Sequence, residues 1–267
     1  MVDIDKLFED FFRKFIAENV GKFTEEELED KVAELYDKFG DTPLKELGDI
    51  SPKAYFESKT AEELTEMLKS EIENGMPVSD FLCSAIENKD GVDEFLIKNV
   101  TEYANDELAV YSVNILNTRG VKSVLSQYVK LLQGDKISEN LSELMTEILS
   151  ENADLVKEEV ISAYGKDKNT DKYFIEVLSC MSQDERVFDI LIREFLDHKS
   201  EISLYTSYLV KYGDERALPY LEKAIREDGV DYADFKELKL AIESFGGECD
   251  ISPDFSSDEI YKKIKNN

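Results

Sequence analysis

Residues 213–227 read GDERALPYLEKAIRE, and this stretch decides the fold expected for the chain. Its apolar side chains recur at positions i, i+1, i+4, i+7 and i+8, counted from Ala217 to Ile225. Side chains at that spacing share one stripe of an α-helix, while Glu222 and Arg226 face away from the stripe. The segment therefore predicts an amphipathic helix that buries one face.

The opening of this helix repeats earlier in the chain. Residues 183–187 read QDERV, and residues 213–217 read GDERA, 30 positions later. Arg119 lies 67 positions before Arg186, close to two further periods, and a period in the low thirties has the size of a helix–turn–helix repeat. No comparable run alternates apolar and polar residues with a period of two, so no sheet is predicted. Consecutive helix pairs are expected at about residues 91–118, 119–149, 153–181, 184–212 and 214–246.

The last of these units resembles a HEAT repeat. Residues 212–221 combine a Gly-Asp turn, an Arg-Ala pair and Pro219, and residues 240–246 are similar to the end of a HEAT second helix. Other units depart from this pattern, since Asp189 occupies the position of Pro219 in the preceding unit. Over residues 91–246 the chain is similar to divergent HEAT-like, armadillo-type helical repeat proteins.

This resemblance implies an all-α fold built as a right-handed α-α superhelix, that is, a HEAT-like solenoid. In such a fold the second helix of each pair lies on a concave face, and the function is binding rather than catalysis. The expected organisation is an N-terminal helical cap at residues 1–56, HEAT-like repeats at 57–250, and a C-terminal tail or short helix at 251–267.

The first helix of the predicted cap carries a broad aromatic stripe. A repeat array has to close its apolar ends with an atypical unit, and this stripe supplies the surface to do so. A helix lying on a membrane would need a polar face rich in Lys and Arg, whereas acidic side chains outnumber basic ones here. Further helices are expected at residues 24–39, 60–74 and 77–88. The stripe consists of Ile4, Leu7, Phe8, Phe11, Phe12, Phe15 and Ile16.

The charge of the chain excludes several classes of partner. Sixty acidic residues against 32 basic ones give a formal net charge of −28 over 267 residues. Such a chain repels polyanions, and nucleic-acid binding is not expected because it needs clustered Lys and Arg. Only Lys262, Lys263 and Lys265 form a basic cluster, and it is interpreted as a solvated tail.

Targeting features are also missing from the sequence. No run of about 18 apolar residues could span a membrane, and the first ten residues lack the pattern of an export signal. The cysteines Cys83, Cys180 and Cys249 are odd in number and far apart, which favours reduced thiols. A cytoplasmic protein without membrane association is therefore predicted.

Catalytic chemistry would have to use the one histidine. His198 follows Glu194 by four residues on the same helix face, but a carboxylate-bridged metal site needs a second histidine. Cys180 is the candidate thiol if His198 acts as a base. The alternative interpretation places His198 at a helix C-terminus, where it favours the helix dipole. Phosphate-binding glycine loops are absent, so no cofactor is predicted.

The segment that begins at Asp167 partly matches the pattern of an EF-hand calcium-binding loop. Asp167, Asn169 and Asp171 occupy its first, third and fifth positions, but Lys172 replaces the required glycine and Leu178 replaces the closing glutamate. A polar loop between helices, capped by Asn169 or Thr170, is the preferred interpretation. No metal site is predicted.

The function expected from these features is a non-enzymatic scaffold that binds a protein partner through its concave face, and that partner is expected to be basic or to carry a basic segment. Four tyrosines on predicted inner helices are candidate partner-binding residues, because aromatic side chains with one polar end are common interface anchors. The same spacing is also typical of a helix core. An enzyme or small-molecule binder with a pocket between helices stays open as the alternative. The four candidates are Tyr205, Tyr208, Tyr212 and Tyr232.

Overall fold

The computed structural model describes residues 2–134 and 136–265 of the chain. Those residues form sixteen α-helices, no sheet, and one isolated antiparallel bridge between Leu44 and Ile50. The all-α prediction is confirmed for this part of the chain, in which no helix is long and apolar enough to cross a bilayer. The helices are α1 (Ile4–Glu18), α2 (Glu25–Gly40), α3 (Pro52–Glu57), α4 (Ala61–Glu73), α5 (Asp80–Asn88), α6 (Asp93–Glu102), α7 (Asp106–Thr118), α8 (Leu125–Leu132), α9 (Glu139–Glu151), α10 (Lys157–Ala163), α11 (Lys168–Leu178), α12 (Glu185–Asp197), α13 (Ile202–Tyr212), α14 (Leu218–Ala224), α15 (Tyr232–Ser244) and α16 (Glu259–Lys265).

The helices group by packing into two compact units, Met1–Val124 and Leu125–Asn267. The first unit contains α1 to α7, and the second contains α8 to α16. The boundaries expected at residues 56 and 250 rest on sequence character rather than on packing, and they stay predictions.

All five helix pairs expected from the periodicity are present, from α6 and α7 to α14 and α15. Side-chain caps set several of the helix starts, as at Asp184, whose carboxylate accepts the Arg186 backbone N–H at 3.0 Å. Glycines close two of the second helices. Gly213 and Gly246 follow α13 and α15 with φ of 74° and 78°, a left-handed conformation that a residue without Cβ adopts freely.

The helix expected at residues 214–227 is shorter than its apolar stripe suggests. Its first turn, Glu215–Ala217, is a 3₁₀ helix, and α14 ends at Ala224. Pro219 lies in the first turn of α14, the part of a helix in which its missing N–H is tolerated.

Neighbouring helix pairs of the second unit pack through their second helices. Helix α9 contacts α11, α11 contacts α13, and α13 contacts α15. Large apolar side chains such as Met145, Phe174 and Leu209 are buried in this unit, each contributing about 1.5–3 kcal/mol. The second helices therefore form a continuous row, which positions the candidate site.

The aromatic stripe of α1 packs within the first unit. The Phe8 ring centroid lies 4.8 Å from that of Tyr36 and 5.5 Å from that of Phe39, both on α2. Tyr36 in turn stacks on Phe81 of α5 at 4.6 Å. Only part of the stripe is enclosed, since Ile4 is buried whereas Ile16 is exposed.

Helix α3 was not expected from the sequence. The Ser51 hydroxyl caps α3 by accepting the Ala54 backbone N–H at 3.3 Å, and Pro52 is its first residue. Proline at the first helical position is a common start signal. The helix buries Phe56 and crosses the predicted cap boundary at residue 56.

The segment after α15 packs against that helix. The Phe255 ring lies 5.2 Å from Phe235, and the Asp258 carboxylate accepts the Tyr232 backbone N–H at 3.0 Å. The segment contains the short helix α16, one of the two forms expected for it. Lys262 pairs with Glu259 at 3.0 Å and Lys263 is exposed. The side chain of Lys265 lies outside the described part of the chain.

Candidate functional site

Two of the four candidate tyrosines have structural roles in the second unit. Tyr212 is buried, and its hydroxyl accepts the Asp184 backbone N–H at 2.7 Å and donates to the Asp184 carbonyl at 3.0 Å. These contacts agree with the helix-core interpretation of the stripe, and partner binding by Tyr212 stays a prediction. This side chain links the end of α13 to the start of α12.

Tyr232 is covered by the C-terminal segment. Its ring makes edge contacts with Phe255 at 5.4 Å and Tyr261 at 5.1 Å. These contacts give Tyr232 a packing role at the start of α15. The spacing of aromatic residues on α15 could not reveal them, because Phe255 and Tyr261 lie more than 20 positions away in the sequence.

Tyr205 and Tyr208 are half-buried on α13 and remain accessible. The Tyr205 ring stacks on His198 with centroids 4.6 Å apart, and it meets the Tyr208 ring edge-on at 5.8 Å. Burial raises the pKa of Tyr205, and it raises the pKa of Tyr208 to about 12 with a smaller contribution from Glu176. Both side chains are therefore neutral phenols at physiological pH.

A polar cleft of about 420 Å³ lies beside Tyr205. The Glu194 carboxylate lines it, accepting the Tyr164 hydroxyl and lying 3.3 Å from His198 Nδ1. Burial and the Glu194 carboxylate raise the pKa of Tyr164, so this hydroxyl keeps its proton. The remaining lining residues are Lys168, Asp171, Lys172, Ile175 and Asp197.

The structure does not assemble a catalytic pair from Cys180 and His198. The Cys180 Sγ donates to the Glu176 carbonyl at 3.4 Å and lies outside the cleft lining. His198 caps the C-terminal end of α12, as its dipole interpretation predicted, and its Nδ1 lies 3.1 Å from the Glu194 carbonyl oxygen. The histidine ring therefore serves as a wall of the cleft and as a stacking partner of Tyr205.

Residues 167–171 form a helix start rather than an ion-binding loop. Asp167, and not Asn169 or Thr170 as expected, caps α11 by accepting the Asn169 backbone N–H at 3.0 Å. Asp171 already lies within α11 and accepts the Gly165 backbone N–H at 2.8 Å. Over the described ranges, no group of three or more His, Cys, Asp and Glu side chains could hold a metal ion.

An apolar groove of about 380 Å³ separates α13 from α15, and sequence reasoning missed it. Val210 of α13 and Leu240 of α15 line it and are 39% and 54% exposed. Thr206 lies at its base, with a buried hydroxyl that has no hydrogen-bond partner among the described residues. The available sequence signal was the position of Val210 and Leu240 outside the buried stripes of their helices.

Charged side chains of both signs line the two depressions, and exposed glutamates lie along neighbouring α9. Glu237 and Lys211 both line the apolar groove, and Glu176 is near enough to influence the pKa of Tyr208. On α9, the exposed side chains Glu139, Glu143, Glu147 and Glu151 recur every four residues, which places them along one helix face. The groove lining therefore carries one charge of each sign, and the attraction for a cationic ligand comes from the net charge of −28 and from the glutamates of α9.

Comparison of the chain with protein-family profiles, curated proteins and solved structures gave no match.

Proposed function

We propose that this chain is a HEAT-like solenoid that acts as a cytoplasmic scaffold and binds a protein partner bearing a basic segment. The binding surface comprises the exposed sides of α11, α13 and α15. Helix pairs of repeat size, a continuous row of second helices and three unbonded cysteines support this proposal.

The apolar groove between α13 and α15 is the observation that carries the proposal. Exposed apolar side chains that line a common groove and are rimmed by charge are typical of protein interaction sites. Tyr205 and Tyr208 lie on the same helix as Val210, outside the groove lining, and add accessible aromatic surface to α13. The surrounding carboxylates favour a basic partner and speed its approach.

Affinity capture with the immobilised full chain tests this function. Leu240→Glu places a charge in the groove, whereas Leu155→Glu makes the same change at an apolar side chain that is 63% exposed elsewhere in the unit. A stoichiometric protein captured by the native chain and by Leu155→Glu, but lost with Leu240→Glu, supports the proposal. A metabolite that copurifies in place of a protein would instead favour a small-molecule pocket.

A further inference from the structure

The polar cleft and the apolar groove lie on opposite flanks of α13. Tyr205 lines the cleft and Val210 lines the groove. Five helical residues advance about 7.5 Å along the axis and rotate by about 140°, because each residue rises 1.5 Å and turns about 100°. A single ligand that crosses α13 over Tyr205 and Val210 can therefore reach both depressions. If the ligand is itself a helix, a segment of about two turns is long enough.

The cleft presents carboxylates that other groups leave available. The Asp197 carboxylate forms no salt bridge or hydrogen bond within the described part of the chain, and the nearby Arg193 interacts with it only through charge. The Asp171 carboxylate accepts only the Gly165 backbone N–H. The Lys172 Nζ lies 2.9 Å from a Glu139 carboxylate oxygen on α9 and 4.7 Å from the centroid of the Tyr173 ring. Lys168 also lines the cleft, and because it forms no salt bridge within the described residues, it is the lysine that competes with an incoming cation.

We infer that the partner segment is a basic amphipathic helix that places an apolar side chain in the α13–α15 groove and a lysine or arginine in the Tyr205 cleft. This inference rests on the proposed function. A helix is the form that fits, because it satisfies its own backbone hydrogen bonds and offers only side chains to a groove between helices. The cationic group meets Asp171 and Asp197, and the aliphatic part of its side chain lies along Tyr205.

The probe for this inference is a fluorescein-labelled synthetic peptide of fourteen residues, an amphipathic helix of leucine and lysine. Its affinity for the full chain is measured by fluorescence anisotropy. The cleft variant is Asp171→Asn with Asp197→Asn, which keeps oxygen acceptors and removes two charges. The matched control is Asp189→Asn with Glu215→Gln, which removes two exposed carboxylates from the first-helix side of the same unit.

We expect the cleft variant to weaken peptide binding about tenfold and the control variant to weaken it less than twofold, because nearby carboxylates add to the general attraction. Lys168→Ala should tighten binding about twofold by removing the competing cation. Equal losses in the two double variants would overturn the inference, as would weaker binding by Lys168→Ala. Thermal melting shows whether each variant is folded, and Asp197→Asn alone serves if the double variant is not.

Leu240→Glu separates this inference from the proposed function. If Leu240→Glu abolishes peptide binding while the cleft variant binds normally, the groove is a binding surface and the cleft assignment is wrong. If neither substitution alters binding, both the surface and the cleft assignment fail. Loss with both substitutions, together with retention in the control, supports the two contacts acting on one segment.

Discussion

The Arg216 guanidinium binds both carboxylate oxygens of Glu185, at 2.9 and 2.8 Å, across 31 residues of sequence. One repeat earlier, Arg186 binds both oxygens of Glu158 at 2.9 and 2.7 Å. Each arginine also pairs with the aspartate two positions before it, which caps its own helix. The recurring Asp-Glu-Arg motif thus connects successive helix pairs. Its Asp caps the start of its own helix, and its Arg binds a glutamate of the preceding helix pair. Glu185 belongs to the first copy of the motif and binds the Arg of the second.

Arg216→Lys should lower the melting temperature by about 1–3 °C. A lysine nitrogen can replace only Nη1 on Glu185, so the variant loses the Nε and Nη2 contacts with Asp214 and the stacking on Phe188 at 4.1 Å. High salt should reduce the difference, since both partners are half-exposed or more. Glu185→Gln and the double variant complete the measurement by differential scanning fluorimetry. Strictly additive shifts would show that the two side chains do not interact energetically.

Glu71 should make the first unit less stable as pH rises. The side chain is 3% exposed, its Oε2 has no partner among the described residues, and burial raises its pKa to about 7 from an ordinary 4.5. The folded state therefore holds this proton more tightly than the unfolded state. Its contribution is fully present below pH 4.5 and is lost progressively until about pH 7.

Glu71→Gln removes that titration. The variant should exceed the native chain in unfolding free energy by about 3 kcal/mol more at pH 8 than at pH 4.5, from a pKa difference of about 2.5. Urea unfolding of both proteins at the two pH values measures the difference. An identical pH dependence for the two proteins would contradict the assignment.

Replacement of Tyr212 should lower the free energy of unfolding, whereas replacement of Tyr205 should mainly affect partner capture. Tyr212→Ala is expected to cost about 3 kcal/mol, because it opens a cavity and leaves the Asp184 backbone N–H without its partner. Tyr212→Phe isolates the hydroxyl and should cost about 1–2 kcal/mol. Urea unfolding measures both values, and a fully stable Tyr212→Ala variant would contradict the structural role.

Tyr205→Ala combined with Tyr208→Ala should reduce partner capture while largely preserving the fold, because both side chains are only half-buried. Thermal stability and capture are measured in parallel on the same preparation. Collapse of stability would assign the two tyrosines to the core. Unchanged capture by a folded variant would place the binding surface elsewhere.

Chelation should leave the melting temperature unchanged. Asp167 and Asp171 are already engaged with backbone N–H groups, so their carboxylates serve the start of α11. Melting with and without EDTA provides the measurement. A fall of several degrees that calcium reverses would restore the ion-binding interpretation of residues 167–171.

Periodicity was enough to predict the helix pairs because burial of one stripe is a local property of each helix. The roles of Tyr212 and Tyr232 could not be predicted in this way. Their contacts are with the Asp184 backbone and with Phe255, which only the tertiary structure brings near. The groove could not be predicted for a related reason. Leu240 lines it only because the tertiary structure places α13, with Val210, beside α15.

The ion pairs that connect neighbouring helix pairs of the second unit join residues that are close in sequence. The Arg216–Glu185 and Arg186–Glu158 pairs close segments of only 31 and 28 residues. Loops of this size close at low entropic cost, and chains dominated by such contacts fold quickly. Each helix pair can therefore dock on its neighbour while the chain emerges from the ribosome, before any distant segment has been synthesised.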